Sequence, residues 1–271
     1  MIESIKPKFL GDYSMTKKAF KDNDLFDNPS ARIPVCLCLD VSGSMNEIVS
    51  GDASFTGRTE VIDGQTYRIC EGGKTKLEYL HNGIKTLYDD LKTNPNTKYS
   101  ADVSIVTFAD DAYVVADFSG VREQPGVYEL KTGDMTDMGK GVNLALDLLD
   151  ARKTEYKEAG REYYQPWLFL MSDGDANGDK TELQVAQKRV SDLVKSEKLN
   201  FVPVGFGKKS DFSKNNEMNH FSKTEKAVLY DSIDYERFFK WIAQSMDQVS
   251  QGSVGDRLKP GAKPSGYTYM D

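Results

Sequence analysis

The chain has 271 residues, 39% of them hydrophobic and 28% charged, with a formal net charge of −7. That length suffices for one large α/β domain with extensions and a full core. The acidic balance argues against a dominant nucleic-acid surface, and no run nears the roughly 18 apolar residues of a membrane span. The first residues lack the long apolar core of a secretory signal, and three cysteines cannot pair completely, so a cytoplasmic location is expected.

Residues 1–31 read as a polar N-terminal arm, with Asn28-Pro29 as the turn into the first strand. Pro34 through Leu39 is a short apolar run, suited to a strand buried on both faces. Cys36 and Cys38, two apart, face one side and read as packed thiols. The run ends in Asp40, followed by Ser42 and Ser44 at alternate positions, with Gly43 between them allowing a tight path. In a loop leaving a parallel strand, these three side chains can turn oxygens toward one point. Oxygen-only donors suit a hard divalent cation, magnesium above all, with manganese or calcium as substitutes.

Residues 50–74 are glycine-rich, and two β-rich runs flank Asp63-Gly64, which predicts a hairpin inserted beside the Asp-Ser-Ser loop. Leu77, Leu80, Ile84, Leu87 and Leu91 mark the apolar face of a helix, with His81 on or beside it as a packed or surface residue. Residues 102–109 and 112–118 read as a strand pair turning at Asp110-Asp111. Thr136 then stands just before a helix opened by Gly139 and Gly141, glycines that suggest close backbone approach. Trp167 to Met171 repeats the pattern of the first strand, ending in Ser172-Asp173-Gly174-Asp175. Asp173 reaches the crevice of Asp40 if the two strands are neighbours; Asp175 is expected to face solvent. Asp134, Asp137 and Asp175 would make the mouth more acidic if they face it.

Further strands are expected at 201–206 and 227–229, separated by helical stripes, the last and most aromatic running from Tyr235 to Val249. This alternation predicts an α/β fold: a doubly wound, mostly parallel central sheet with one antiparallel edge strand and helices on both faces. Such sheets bind ligands at the carboxyl ends of their strands, where Asp40 sits. Residues 251–271, rich in Gly and Pro, read as a flexible tail.

The Asp40-x-Ser42-x-Ser44 loop, Thr136 at a Gly-rich helix start, and the strand ending in Ser172-Asp173-Gly174 together resemble the von Willebrand factor A fold and its metal-ion-dependent adhesion site. The resemblance runs in the right order over residues 32–250 and is nearest in character to bacterial intracellular members of the tellurite-resistance and chemical-stress type. It implies a magnesium ion bound directly by Ser42 and Ser44, directly or through water by Thr136, and chiefly through bridging waters by Asp40 and Asp173. It further implies a non-catalytic module that binds a protein partner's Glu or Asp through the ion. The rival is a magnesium-dependent phosphatase or phosphotransferase of haloacid-dehalogenase-like type, using Asp40. There the position two past the nucleophile carries a second acid, and here it is Ser42, which cannot do acid–base work near neutral pH.

Overall fold

The computed structural model describes residues 23–51, 54–62, 65–213, 216–230, 235–255, 260–261 and 263–270. Most of the expected N-terminal arm and the Asp63-Gly64 turn lie outside these residues. In chain order the elements are α1 (Asn23–Asp27), β1 (Ile33–Asp40), β2 (Ile48–Ser50), β3 (Ser54–Ile62), β4 (Gln65–Glu71), β5 (Lys74–Thr75) and α2 (Lys76–Thr93). Then follow α3 (Thr97–Ser100), β6 (Ala101–Phe108), β7 (Ala112–Gly120), α4 (Met138–Glu158), β8 (Trp167–Ser172), α5 (Lys180–Lys195), β9 (Asn200–Phe206), β10 (Val228–Tyr230), α6 (Tyr235–Ser250) and β11 (Tyr267–Tyr269).

The main sheet has seven strands in the order β11-β10-β9-β8-β1-β6-β7. The five central strands are parallel, and β1 lies between β8 and β6, with Leu39 opposite Met171 on one side and Thr107 on the other. A mostly parallel sheet needs cover on both faces, and the two-residue period of β1 divides its side chains between two layers. Val35, Leu37 and Leu39 join α2 and α6, through Leu80, Ile84, Phe238 and Ile242. Cys36 and Cys38, both free and buried, pack with α4 and α5, through Val142, Leu146, Ala186 and Val190. The helices on each face follow the apolar spacing of the sequence, and α2 starts with a capping box between Thr75 and Glu78.

The expected antiparallel edge strand is β7, paired with β6. The sheet has a second one. Residues 267–269, expected within a flexible tail, pair antiparallel with β10 as β11, and Met270 is buried next to Gly205, where a Cβ would lie 2.0 Å from its Cε. Three paired residues leave no periodic signal, and their apolar anchor follows them.

Ile48 and Ser50 of β2 pair with Thr75 and Lys74 of β5, bringing the two ends of the inserted segment together. Between them β3 and β4 form a separate antiparallel pair. At the opposite end of the sheet, α1 is tied to the start of β1: Arg32 is buried and donates to Asp24 at 2.6 Å. Among the described residues no helix is long and apolar enough to cross a membrane.

Candidate functional site

β1 and β8 are adjacent and parallel, so the residues that follow them emerge side by side at the carboxyl end of the sheet. Asp40 and Asp173 are both buried there. The Asp40 carboxylate is held on two sides: Ser42 N–H donates to Oδ1 at 2.8 Å, and Ser172 Oγ donates to Oδ2 at 2.5 Å. Ser42 Oγ and Ser44 Oγ are 3.0 Å apart, and Ser44 Oγ donates to Asp173 Oδ1 at 2.7 Å. Ser42 is buried and Ser44 exposed, so the cluster has a closed floor and one open side. Four of the five expected residues are thereby linked in one hydrogen-bonded group.

The fifth, Thr136, is buried in the neighbouring loop. That loop is drawn against the first by Gly133 N–H, which donates to Val41 O at 3.0 Å. Its path is set by groups to which the sequence assigned no part in the site. Asp110 accepts from the backbone N–H of Asp134 at 2.8 Å and Met135 at 3.2 Å, and Asn177 Oδ1 accepts from Thr136 N–H at 2.6 Å. Those backbone bonds, that of Asp134 foremost, hold the exposed Asp110 carboxyl below its ordinary range. Gly133 has no room for a side chain, because a Cβ would lie 2.3 Å from Asp110 Oδ2.

Two of the three further acids considered for the mouth are engaged by neighbouring groups. Asp137 caps α4, accepting from Lys140 N–H, and also accepts from Asp179 N–H. Asp175, expected to face solvent, accepts from Ser213 N–H and from Asn216 Nδ2 at 2.6 Å. Only Asp134 stays exposed on the rim. A cation stands there as well: Lys76, the first residue of α2, donates to Asp173 Oδ2 at 2.9 Å and pairs with Glu47 at 2.6 Å. Burial works to lower the pKa of its ammonium, but hydrogen bonds to Glu47 and Asp173 outweigh this and raise it, so Lys76 is charged at neutral pH. His81, on the same helix, is half-buried, and its Nε2 has no partner among the described residues.

Beneath the acids the floor is apolar, lined by Met45, Leu80, Met171, Phe206 and Tyr235. Burial there, and then the charge of Asp173, push the Asp40 carboxyl up from 3.8 to about 6, against the hydrogen bonds from Ser172 and Ser42. The folded state therefore binds more protons than the unfolded chain between those two values. The contribution of Asp40 to the stability of the metal-free protein should fall as pH rises from about 3.8 to about 6, by at most about 3 kcal/mol, and then level off. Urea unfolding in EDTA across that range, compared with Asp40→Asn, isolates this contribution. A difference between the two proteins that does not change with pH would contradict it.

Among the described residues there is no group of three or more His, Cys, Asp or Glu side chains able to hold a metal. What the site offers is oxygen: the hydroxyls of Ser42 and Ser44 and the carboxylates of Asp40 and Asp173, with Thr136 in the loop drawn against them.

The sequence model of the von Willebrand factor type A domain matches residues 35–176, more than half of the chain. No curated protein sequence matches. Among solved structures, a von Willebrand factor type A protein from Catenulispora acidiphila superposes with a TM-score of 0.52 at 15% identity, over 80% of this chain and 42% of that one. The PilB minor pilin of Streptococcus sanguinis gives 0.51 at 12% identity, over 83% and 64%. Proximal thread matrix protein 1 from the mussel byssus gives 0.46 at 13% identity, over 80% and 48%. The chain thus spans about half the length of the mussel protein, and at these identities the likeness is one of fold.

Proposed function

The chain belongs to the von Willebrand factor type A family, whose domains are commonly metal-dependent protein-interaction modules, and from that premise we propose that it binds a protein partner through a magnesium site made by Asp40, Ser42, Ser44, Thr136 and Asp173. The observation that carries this reading is the run of oxygens from Ser42 Oγ through Ser44 Oγ to Asp173 Oδ1, at 3.0 and 2.7 Å, where two parallel strands end. The residues present fit such an ion by their chemistry: every donor is oxygen, and three of the five are uncharged. Manganese or calcium suits the same donors.

In this reading Ser42 and Ser44 hold the ion directly, Thr136 directly or through water, and Asp40 and Asp173 chiefly through water. When bound, magnesium supplies a Lewis-acidic point that takes a carboxylate oxygen from a partner's Glu or Asp. The protein's part is positional. Ser172 and the Ser42 amide fix Asp40, Asp173 orients the Ser44 hydroxyl, and Asp110 and Asn177 hold the loop of Thr136. No bond is made or broken, and no residue is given a catalytic role. Asp40 has Ser42, not an acid, two positions on, which disfavours phosphotransfer. We extend the proposal to a bacterial intracellular setting, in a stress-response complex of the tellurite-resistance type. Over the chain, the proposed domain is residues 32–250 with its insert at about 50–74.

A magnesium titration of EDTA-stripped protein, read by melting temperature, tests the site. Ion at about a hundred times its Kd should stabilise the fold by about 2.7 kcal/mol, roughly a 5–10 °C rise for a domain of this size. Ser42→Ala should abolish the rise. A wild-type protein whose melting temperature ignores magnesium, manganese and calcium alike would refute the reading.

A further inference from the structure

Lys76 is a buried positive charge at the site that a five-residue oxygen cluster does not require. Its side chain is 6% exposed, that of Asp173 1%, and that of Glu47 62%. The lysine is placed from both sides. The capping box sets it at the first position of α2, and its backbone N–H donates to Glu47 O at 3.1 Å. Its ammonium then spans from the buried Asp173 carboxylate to the solvent-facing Glu47.

We propose that Lys76 sets the ligand specificity of the site, by cancelling one of its two buried carboxylates so that the ion-loaded pocket selects an anionic oxygen over a neutral one. The inference rests on the magnesium reading above. Asp40 and Asp173 carry two negative charges, and Lys76 returns one positive charge. A divalent ion added to that set leaves one positive charge in surplus. A carboxylate neutralises it, whereas a carbonyl or hydroxyl does not. Glu47 offsets little of this surplus, because its carboxylate stands largely in water, where charge is screened. Without the lysine, ion and acids would already balance, and a neutral ligand would serve almost as well.

Two measurable properties follow. The ion alone should bind more weakly than the oxygen set permits, because a fixed cation opposes it. Ion and carboxylate should also tighten each other's binding by the same factor, since such coupling is reciprocal.

Isothermal titration with magnesium, in sodium acetate as the carboxylate probe and in sodium chloride at equal ionic strength, reads both. In the wild type, acetate should tighten magnesium binding about fivefold or more after magnesium–acetate association is subtracted. Lys76→Met should bind magnesium alone about tenfold more tightly than wild type and lose the acetate effect. Glu47→Gln, which removes the partly compensating outer charge, should bind magnesium about two- to threefold more weakly and keep the acetate effect. Lys76→Met binding magnesium no more tightly than wild type, or retaining the full acetate effect, overturns the proposal. Should Lys76→Met fail to melt cooperatively, wild type and Glu47→Gln decide: no acetate effect in either overturns it, and the expected pair of results supports it. A wild type that binds no magnesium overturns the metal site itself, which separates that failure from this one.

Discussion

Arg152→Met is expected to lower the unfolding free energy by about 3–5 kcal/mol, the cost of leaving a buried charge without its partner. Arg152 and Asp102 are both buried, at the end of the sheet opposite the oxygen cluster. Arg152 Nε and Nη2 donate to Asp102 Oδ2 at 2.9 and 2.7 Å, and Tyr156 Oη adds a third bond at 2.5 Å. All three converge on one oxygen, and Oδ1 has no partner among the described residues. Burial already pushes the Asp102 carboxyl above its ordinary range, with Arg152 the foremost influence against it. Methionine keeps much of the arginine's apolar stem and removes only the charge and the donors. The double variant Arg152→Met, Asp102→Asn should regain part of the loss, because the orphaned charge goes with it. Urea unfolding at neutral pH measures both. A single variant that costs less than about 1 kcal/mol would mean that the pair contributes no more than a surface ion pair.

Gly139→Val is expected to cost about 4 kcal/mol and to weaken magnesium binding as well. Gly139 lies in the first turn of α4, where it meets the first turn of α5. A Cβ there would sit 2.4 Å from Leu183 N and 2.6 Å from Glu182 C. These are backbone atoms, and they cannot rotate away as a side chain can. The two helices must therefore part. Their junction carries the bonds that place Thr136, since Asn177 Oδ1 accepts from Thr136 N–H at 2.6 Å and Asp179 N–H donates to Asp137 at 3.3 Å. Stability and metal affinity should fall together. Gly174→Ala is the control, because a Cβ there meets nothing nearer than 4.0 Å. Thermal melts with and without magnesium separate the effects; a Gly139→Val protein with wild-type stability would show that the helices yield at little cost.

The sequence was most legible where one period or one strand end carried the signal. The apolar run ending at Asp40 could be read as a two-face-buried strand, and its repeat ending at Asp173 as a second strand opening on the same edge. Their adjacency in the sheet brings Asp40, Ser42, Ser44 and Asp173 together. Gly139 announced a close approach without saying to what. Residues acting across long sequence distances left no trace. Lys76 reads as an ordinary helix start, yet its partner Asp173 is 97 positions on. Asp110 reads as half of a turn, yet it holds amides 24 and 25 positions away. The partners of the acids near the mouth were hidden for the same reason: Asp137 accepts from the amide of Asp179, and Asp175 from that of Ser213, each about 40 positions away. β11 was missed because three residues are too few to show a period.

The central place of β1 also bears on how the chain is made. β1 is translated before every other strand of the main sheet, and one of its two neighbours, β8, lies at residues 167–172. A strand buried on both faces therefore leaves the ribosome with one hydrogen-bonding edge open until β8 has been synthesised. Pairings of such long range make folding slow, and they prolong the exposure of an unpaired apolar strand. Ser44 and Asp173, 129 positions apart, meet only when β8 docks. The oxygen cluster therefore cannot appear before β1 and β8 pair, and uptake of the ion during refolding would report the moment at which the sheet closes around that strand.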